Sequence, residues 1–560
     1  MHLIHRRITS ILILLCVLLL FFVGRFFVFQ VIKGPEIASQ ASAMRTRGFS
    51  LPEADRGRIL DRNYRDLTGQ QEHWACFCMP LIIQDVQATA KKVAPLLDMS
   101  EQLIEKRIRE AQKRRNTIIL LKEPLYSSET RIVSPPGIII TPISRRYQDN
   151  GFLIHLLGHL GEEAGKRRVQ VRGDAGLEAR YEQDLRVGSY PAQVAAVVDG
   201  RGQIIPGLSP KIATAYGGIN SRDVVTTIDK DIQLITERSM DRHVTTGAVV
   251  VMEIKNRDVL AIASRPKYNP NQPASYLAAS ASSPLLNRAL ESFPPGSLFK
   301  IMVAAAALET GVVSAEDQFF CRGAYSFSED LSIPCWKKTG HGRVSIGQAL
   351  SESCNTAFIE MGLRVGRSGL LEQTEYMKVF DHEIIGYSDA QENSGFKIDY
   401  GRAALGNASL GQAGVMMTPL QAANMMATVV DNGLYKHPRI VKEVRQDDSI
   451  LRSFPADQGI QVLSPSVSLQ LRDYLRKVTT SGTGQLANIE TGGCGGKTAT
   501  SQTGQFTAEG EEILDTWFVG FFPANQPRWV ISVLVEHGQS GGHNAAPVFK
   551  EIAEQIVETN

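Results

Sequence analysis

Cysteine is sparse in this chain, at 7 among 560 residues, so a disulfide-rich scaffold is excluded. Net charge is almost absent as well, because 60 Lys and Arg against 58 Asp and Glu leave a formal charge of +2. A dedicated nucleic-acid-binding protein would carry a strongly basic domain, so we expect no nucleic-acid partner. With 43% hydrophobic residues the chain can build sizeable cores, and its length predicts two to four folded units.

One apolar segment near the N-terminus is long enough to cross a membrane. Residues 8–24 carry no charge, and at 1.5 Å per residue they span roughly 25 Å, close to the hydrocarbon core of a bilayer. A signal peptide would have a nearby small-residue cleavage site, but Ala41-Ser42-Ala43 lies too far downstream. The sequence therefore predicts an uncleaved single-pass anchor. Arg6 and Arg7 precede it, which favours a cytoplasmic N-terminus.

The pattern of predicted secondary-structure elements changes near residue 224. Before it, residues 33–55 suggest a juxtamembrane stalk, 87–115 an exposed amphipathic helix pair, and 188–220 Gly-rich turns. After it come longer segments: a buried strand, an Ala-rich helix at 297–309, two C-terminal strands and a final helix. We therefore predict an α+β architecture in which an antiparallel sheet is flanked by helices. The predicted division is a cytoplasmic N-terminus (1–7), an anchor (8–32), an elongated mixed α/β pedestal (33–223) and a large C-terminal domain (224–560).

The first of three short motifs is Ser297-Leu298-Phe299-Lys300, which follows a Pro-Pro-Gly turn that suits a helix start. Three residues apart, Ser297 and Lys300 would share one helix face. A serine at the positive end of the helix dipole favours an alkoxide, and a desolvated lysine can act as a base. Alone the motif is weak evidence, because serine is also a common helix cap.

Two further motifs lie downstream. Ser353-Cys354-Asn355 precedes a predicted helix, so its hydroxyl and amide could relay a proton and hold a substrate, or could simply cap the helix. Lys497-Thr498-Ala499-Thr500 follows a Gly-rich turn. On a strand edge these side chains could bind a carboxylate while the backbone pairs with an extended peptide, or the segment could be an ordinary solvated strand end.

The order and spacing of the three motifs resemble those of penicillin-binding proteins and serine β-lactamases. Over nearly its whole length the chain is similar to the class B penicillin-binding proteins, which are monofunctional peptidoglycan D,D-transpeptidases. Arg56–Asn63 and Gly176–Tyr181 resemble two motifs of the family's pedestal, and Cys335-Trp336, Gly340-His341-Gly342 and Trp517–Gly520 also look familial. No glycosyltransferase domain lies ahead of the pedestal, which argues against class A.

The resemblance implies four catalytic residues. Ser297 would attack the penultimate D-Ala carbonyl of a stem peptide and form an acyl-enzyme, and Lys300 would take its proton. Ser353 would pass a proton to the leaving D-Ala nitrogen, and Asn355 would bind the substrate and orient Lys300. An amine from a neighbouring stem peptide would then resolve the acyl-enzyme, and β-lactams would acylate Ser297 as mimics of D-Ala-D-Ala.

The resemblance also implies a binding strand. Lys497 and Thr498, helped by Thr500, would bind the terminal carboxylate. The backbone N–H groups of Ser297 and Thr500 would form the oxyanion hole, where each donor is typically worth about 3 kcal/mol. Ala499 stands where the family usually has glycine, so its methyl is expected to tighten the substrate slot. No cofactor and no metal are expected.

The cysteines leave several possibilities open. Cys321 and Cys335 flank a short loop and could form a disulfide, although connectivity cannot be deduced from a sequence. Cys76 and Cys78 are too close for an easy bridge and lack a second metal-ligand pair. A further departure from the family is Arg145-Arg146-Tyr147-Gln148, which lacks the proline usual after the tyrosine and so puts a local turn in doubt.

Two other functions remain compatible with the sequence. One is a β-lactamase or β-lactam sensor of the same fold, although no obvious base for a deacylating water is visible. The other is a non-catalytic scaffold of a cell-wall synthesis complex. The resemblance further implies a membrane partner, a polytopic glycosyltransferase of the shape, elongation, division and sporulation (SEDS) type. It does not tell division from elongation or sporulation.

Overall fold

The computed structural model describes most of the chain. The described residues are 2–34, 37, 46–51, 56–69, 71–116, 118–125, 135–162, 171–186, 192–199, 205, 211–213, 222–277, 283–387 and 395–559. Much of the predicted stalk at 33–55 and of the Gly-rich segment at 188–220 therefore lies outside them. Where these segments are described, Thr46–Leu51 and Ala192–Val197 form an antiparallel pair of strands rather than a stalk and a turn.

The N-terminal apolar segment is helical from His2 to Phe27 and continues as a π-helical turn to Ile32. Within the described residues it is the one helix long and apolar enough to cross a membrane, and its most apolar stretch packs against none of them. Such exposure of Leu, Ile and Phe is unfavourable in water and favourable in lipid. The helix thus fits a single-pass membrane anchor.

A three-stranded antiparallel sheet forms the main body of the N-terminal region. Gln71–Cys78 is its central strand, between Ile119–Leu125 and Ile138–Arg145. Alternate residues of the central strand face opposite sides of the sheet. Cys76 and Cys78 pack under the two helices Val86–Leu97 and Glu101–Lys113. Ala75 and Phe77 belong to a second hydrophobic cluster on the other side of the sheet. The predicted helix pair is confirmed.

Shorter elements complete this region. The helices are Ile154–Leu157, Gly176–Arg180 and Glu182–Leu185, and the strands are Ile59–Leu60, Leu160–Glu162, Val171–Gly173 and Lys211–Ala213.

The C-terminal region is built on a five-stranded antiparallel sheet. Its strands run in the spatial order Val259–Arg265, Gly247–Glu253, Trp529–Val535, Glu512–Phe522 and Gly495–Phe506. Two hydrophobic clusters, a larger and a smaller one, lie on opposite faces of this sheet. Val250 faces the larger cluster, and its neighbours Val249 and Val251 face the smaller one. The sheet is therefore covered on both sides. This matches the prediction of a strand buried on both faces. The strand Gly495–Phe506, which carries the third motif, lies at one edge.

Helices cover the two faces of this sheet. Lys300–Glu309 and Pro419–Val430 contribute to the larger cluster, and Lys230–His243 and Ala546–Thr559 to the smaller one. Pro419–Val430 is buried over its whole length, and its start is fixed by a capping box with Thr418, whose side chain accepts from Gln421 N.

The remaining elements surround this framework. The helices are Ile346–Ser351, Asn355–Tyr376, Arg402–Ala408 and Pro465–Thr480, and the strands are Asp223–Thr226, Gln318–Cys321, Ala324–Ser326, Ser332–Pro334, Gly342–Ser345, Gly395–Phe396, Val415–Met416, Leu434–Tyr435, Val441–Gln446, Ser449–Ser453 and Ile460–Gln461.

A buried ion-pair network lies in the N-terminal region beside its junction with the C-terminal one. Glu178 is fully buried and accepts from Arg56 Nε at 2.7 Å, from Arg146 Nε and from Tyr147 OH at 2.9 Å. Burial alone would raise the pKa of Glu178, but the two arginines hold it below its usual value. The Arg-Tyr pair keeps these contacts without the proline that usually follows it. In the neighbouring sheet Ile59–Leu60 pairs with Asp223–Thr226, so the two regions share a core.

Candidate active site

The first motif lies where a tight turn runs into a helix. Ser297 is in the 3₁₀ turn Gly296–Leu298, and the α-helix begins at Lys300. Lys300 lies three residues after Ser297, where the turn meets the helix. That the two side chains share one side stays a prediction. Gly296 has φ +52°, and a Cβ on it would lie 3.2 Å from the carbonyl oxygen of Thr500. The turn therefore sits directly against the strand of the third motif.

Lys300 joins the first motif to the second. Its side chain is fully buried, and Nζ donates to the carbonyl oxygen of Ser353 at 2.8 Å, to Ser353 Oγ at 3.2 Å and to Asn355 Oδ1 at 2.7 Å. Burial lowers the pKa of Lys300 to about 8, although the nearby thiol groups of Cys354 and Cys335 oppose the shift. A lysine of this pKa is partly neutral near neutral pH, so it can accept a proton.

The second motif occupies a strained turn. Ser353 has φ +54°, which is uncommon for a residue other than glycine and costs energy unless neighbours hold it. The turn separates the helix Ile346–Ser351 from the helix that begins at Asn355. Asn355 Nδ2 donates to the carbonyl oxygen of Pro334 at 3.0 Å while its Oδ1 accepts from Lys300. Both ends of the amide are thus used to hold the turn.

The third motif follows the edge strand Gly495–Phe506. Lys497 is fully buried, and both burial and the charge of Lys300 hold its pKa well below the usual value. Its Nζ donates to the carbonyl oxygen of Thr498 at 2.8 Å. Thr500 is exposed on the strand, and its Oγ1 accepts from Gly541 N at 3.3 Å. A buried lysine that lies close to a second lysine forms an environment that favours an anion.

The methyl of Ala499 faces inward. Ala499 is 3% exposed and belongs to the larger hydrophobic cluster together with its cross-strand neighbour Trp517. The expectation that this methyl tightens the substrate slot stays a prediction. Trp517 Nε1 in turn donates to the carbonyl oxygen of Pro294 at 3.1 Å, which fixes the segment that leads to Ser297.

Sequence reasoning missed Thr483, which ties the second motif to the third. Thr483 N donates to the carbonyl oxygen of Ser351 at 3.1 Å, and its hydroxyl lies 2.7 Å from that of Thr498. The loop approaches closely because a Cβ on Gly482 would lie 2.4 Å from Ser351 O. The only signal was Ser481-Gly482-Thr483-Gly484, a turn-rich stretch after a helix.

A cluster of metal-ligand side chains, which the sequence had not predicted, lies beside the second motif. The potential ligand atoms of Cys321, Cys335, His341 and Cys354 all lie within 4.8 Å of one another. All seven cysteines are free thiols in the structure, so Cys321 and Cys335 are not bridged. The signal in the sequence is the presence of three cysteines and a histidine within residues 321–354. Spacing alone indicates only a possible disulfide between Cys321 and Cys335 and does not connect them with Cys354 in the second motif.

The three motifs thus lie close together, because the turn of Ser297 lies against Thr500 and Lys300 contacts Ser353 and Asn355. A serine leads into the helix of a buried lysine, a second hydroxyl and an amide contact that lysine, and a second buried lysine follows on the adjoining strand edge. Within the ranges that the structure covers, no carboxylate lies within 4 Å of Lys300 Nζ or Lys497 Nζ. Such a site can carry out acyl transfer through an activated hydroxyl.

Comparison with known proteins agrees with this geometry. The family model of the penicillin-binding protein transpeptidase domain matches residues 247–554, and that of the penicillin-binding protein dimerisation domain matches residues 52–212.

Two relatives match over nearly the whole chain, and a third matches over 60% of it. Stage V sporulation protein D of Bacillus subtilis is 30% identical over 584 residues, 98% of this chain and 85% of that protein. Peptidoglycan D,D-transpeptidase MrdA of Acinetobacter baumannii is 25% identical over 590 residues, 96% of this chain and 86% of that protein. Peptidoglycan D,D-transpeptidase PbpA of Mycolicibacterium smegmatis is 31% identical over 371 residues, 60% of this chain and 73% of that protein. With its dimerisation domain, its transpeptidase domain and the three motifs close together, the chain belongs to the class B penicillin-binding proteins.

Proposed function

We propose that this protein is a peptidoglycan D,D-transpeptidase that works through an acyl-enzyme on Ser297. The observation that carries the proposal is the position of Lys300 Nζ, which contacts both Ser353 and Asn355 while its helix starts at the turn of Ser297. A fully buried lysine with no carboxylate partner among the described residues is expensive to charge. Neutral, it is the base that a serine nucleophile requires.

The proposed reaction has two halves. Ser297 Oγ forms a bond to the carbonyl carbon of the penultimate D-Ala as its proton passes to neutral Lys300 Nζ. The C–N bond then breaks, and the leaving nitrogen receives a proton by way of Ser353 Oγ, 3.2 Å from Lys300 Nζ. An amine of a second stem peptide attacks the acyl-enzyme, loses a proton along the same path and releases Ser297. Asn355 orients Lys300 throughout through its 2.7 Å contact.

Substrate binding is assigned to the edge strand. The terminal carboxylate would lie against Lys497, Thr498 and Thr500, where its charge would favour the protonated form of buried Lys497. The backbone N–H groups of Ser297 and Thr500 would bind the oxyanion, each worth about 3 kcal/mol in the transition state. The proximity of the Gly296 turn to Thr500 supports this pairing. The stem peptide would extend along the unpaired edge of the strand.

The alternative functions are less well supported. Rapid hydrolysis of β-lactams needs a base for the deacylating water, and in the described part of the chain no carboxylate contacts either lysine. A purely structural scaffold has no need for a serine held at φ +54° beside a buried lysine.

The proposal extends to topology and partners. Residues 1–7 would be cytoplasmic, 8–32 would span the membrane, and the pedestal (33–223) and transpeptidase domain (224–560) would lie outside it. Arg6 and Arg7 ahead of the apolar helix support this orientation. A polytopic SEDS-type glycosyltransferase in the same membrane would contact the anchor and the pedestal. The proposed ligands are D-Ala-D-Ala stem peptides and β-lactams.

Labelling with a fluorescent penicillin tests the nucleophile. Wild-type protein and the matched control Ser314→Ala, which changes an exposed serine after the same helix, should form a covalent adduct, and Ser297→Ala should form none. Release of D-Ala from a stem pentapeptide should follow the same pattern. Equal labelling of Ser297→Ala would remove the assignment, and fast turnover of a chromogenic β-lactam by the wild type would favour a β-lactamase.

A further inference from the structure

A cavity of about 200 Å³ lies where the N-terminal and C-terminal regions meet. Its walls come from residues 67–69 and from the segments 147–154 and 230–234, and we call it the junction cavity. A single water needs only about 10–15 Å³ of such space, so the junction cavity has room for a small organic ring. It lies outside the three motifs of the active site.

Gln148 lines the junction cavity at the position where the family usually has proline. Its amide lies against Gly69, because a Cβ on that glycine would lie 3.2 Å from Gln148 Nε2. Asn150 Nδ2 donates to Gln148 Oε1 at 3.0 Å, which fixes the orientation of the amide. Among the described residues Gln148 Nε2 has no hydrogen-bond partner. The departure from the family pattern therefore gives this cavity a hydrogen-bond donor that proline lacks.

Hydrogen bonds across the junction hold the walls in place. Asn271 Nδ2 donates to Asp149 Oδ1 at 2.8 Å, which ties the loop after Gln148 to the C-terminal region. Leu153 N donates to Glu237 Oε1 at 3.0 Å, which ties the end of the same loop to the helix Lys230–His243. The junction cavity is therefore preformed, as sites for small molecules usually are.

The lining combines an apolar floor with hydrogen-bond donors. Leu67 is buried in the floor, and the half-buried ring of Phe152 stands beside it. Lys230 Nζ donates to the carbonyl oxygen of Asp66 at 2.7 Å, and an ammonium group has three hydrogens to donate. With Gln148 Nε2 this makes two kinds of donor, and no carboxylate belongs to the described residues that line the cavity. A ligand that fits has an apolar face and several oxygen acceptors.

An N-acetylated sugar ring has this combination of groups. The C–H groups of its ring and the methyl of its acetamide are apolar, so they can pack on the aromatic ring of Phe152. Its hydroxyl and carbonyl oxygens accept hydrogen bonds, and it carries no positive charge that Lys230 would repel. Stem peptides of peptidoglycan are attached to a glycan strand of such sugars.

We propose that the junction cavity binds an N-acetylated sugar ring of the glycan strand, with Gln148 and Lys230 donating hydrogen bonds to its oxygens. The assignment of the sugar to peptidoglycan rests on the proposed function, whereas the binding of the sugar itself does not. The protein would then hold its polymer at two places, by the stem peptide at the active site and by the glycan at the junction of the two regions.

Binding of tri-N-acetylchitotriose, an N-acetylated oligosaccharide without a peptide, tests the proposal. Full-length protein is used in a detergent without a sugar headgroup. Saturation-transfer NMR should show contact with the wild type, strongest at the acetamide methyl groups, and calorimetric titration gives the affinity. Gln148→Ala should bind roughly two- to tenfold more weakly, as expected for one lost hydrogen bond. The control Gln485→Ala, which changes an exposed glutamine elsewhere, should bind like the wild type.

Two further variants keep the test independent of any one substitution. Gln148→Pro places the usual family residue in this chain and should weaken binding without unfolding the protein. Leu234→Trp fills the junction cavity from the helix Lys230–His243 and should abolish binding. Thermal unfolding shows which variants are folded. Cellotriose, which has similar rings without the acetamide groups, should bind the wild type more weakly than tri-N-acetylchitotriose.

Several results would overturn the proposal. A wild-type protein that shows no saturation transfer would do so, and so would equal affinity for the two oligosaccharides. Wild-type affinity in folded Gln148→Ala and Leu234→Trp would place the sugar elsewhere. Loss of sugar binding after acylation by penicillin would assign the sugar to the active site instead. Sugar binding needs no acylation, so failure of the Ser297 assignment would leave the junction cavity standing, and the reverse.

Discussion

The burial of Lys300 makes acylation depend on pH in a definite direction. Burial lowers the pKa of this lysine from 10.5 to about 8, a shift of roughly 3 kcal/mol at 1.36 kcal/mol per pH unit. The charged or titratable groups that face it are Lys497 from the edge strand and the thiols of Cys335 and Cys354. Because the neutral amine is the proposed base, activity should rise as pH rises towards the pKa of Lys300.

The size of the rise follows from the fraction of neutral lysine. Below the pKa this fraction grows tenfold per pH unit, so between pH 6 and pH 8 the second-order rate constant for acylation should increase roughly 50-fold and then level off. With an ordinary lysine pKa the rise would continue to about pH 10. The position of the plateau therefore measures the desolvation of Lys300.

Stopped-flow acylation by a fluorescent penicillin between pH 6 and pH 9 is the assay. Lys477→Met, which removes an exposed lysine, should keep the wild-type profile. Lys300→Arg should be slow at every pH, because a guanidinium does not release its proton in this range. A wild-type rate constant that is flat from pH 6 to pH 8 would refute the assignment of Lys300 as the base.

Three further substitutions test the surroundings of the site. Thr483→Val removes the hydroxyl contact with Thr498 and should slow acylation two- to tenfold, for a hydrogen bond worth about 0.5–1.5 kcal/mol. Gly296→Ala should slow acylation and destabilise the protein by about 1–3 kcal/mol, because φ is +52° and the added methyl meets Thr500 O. Glu178→Gln should cost about 3–5 kcal/mol in chemical unfolding, because it removes the buried negative charge that both Arg56 and Arg146 contact.

Each of these variants has a matched control. Thr480→Val and Gly395→Ala change an exposed threonine and a glycine with open space around it, so both should acylate at the wild-type rate. Glu375→Gln changes an exposed carboxylate and should leave the free energy of unfolding within about 0.5 kcal/mol of wild type. If Thr480→Val slowed acylation as much as Thr483→Val, the contact assigned to Thr483 would be contradicted. If Gly395→Ala slowed acylation as much as Gly296→Ala, the contact assigned to Gly296 would be contradicted. If the Glu178→Gln variant had the same free energy of unfolding as the wild type, the assignment of a buried charge to Glu178 would be contradicted.

Local pattern was enough to predict the elements that carry the site. The Ala-rich run after Ser297 is a buried helix from Lys300, and the short apolar run in Gly247–Glu253 is the strand covered on both faces. The apolar segment at the N-terminus is a single long helix. In each case the length and composition of an apolar run decide the structure, and both are visible in the sequence.

Contacts between distant segments could not be predicted in this way. Thr483 lies beside the site because Gly482 lets its loop approach Ser351 closely. No local sequence pattern predicts this approach. The burial of Ala499 depends on its pairing with Trp517, which lies on a different strand. The cysteine and histidine cluster needs two pairs of strands in register before its members meet. Sequence spacing alone left a disulfide between two of the cysteines open.

The most direct test of the account is to find the residue that becomes acylated. The protein is incubated with a penicillin, digested, and its peptides are analysed by mass spectrometry. The account predicts one penicilloyl group per chain, carried by the peptide that contains Ser297 and absent from Ser297→Ala. A modification on any other residue, or an unmodified Ser297 in protein that has bound the antibiotic, would contradict it.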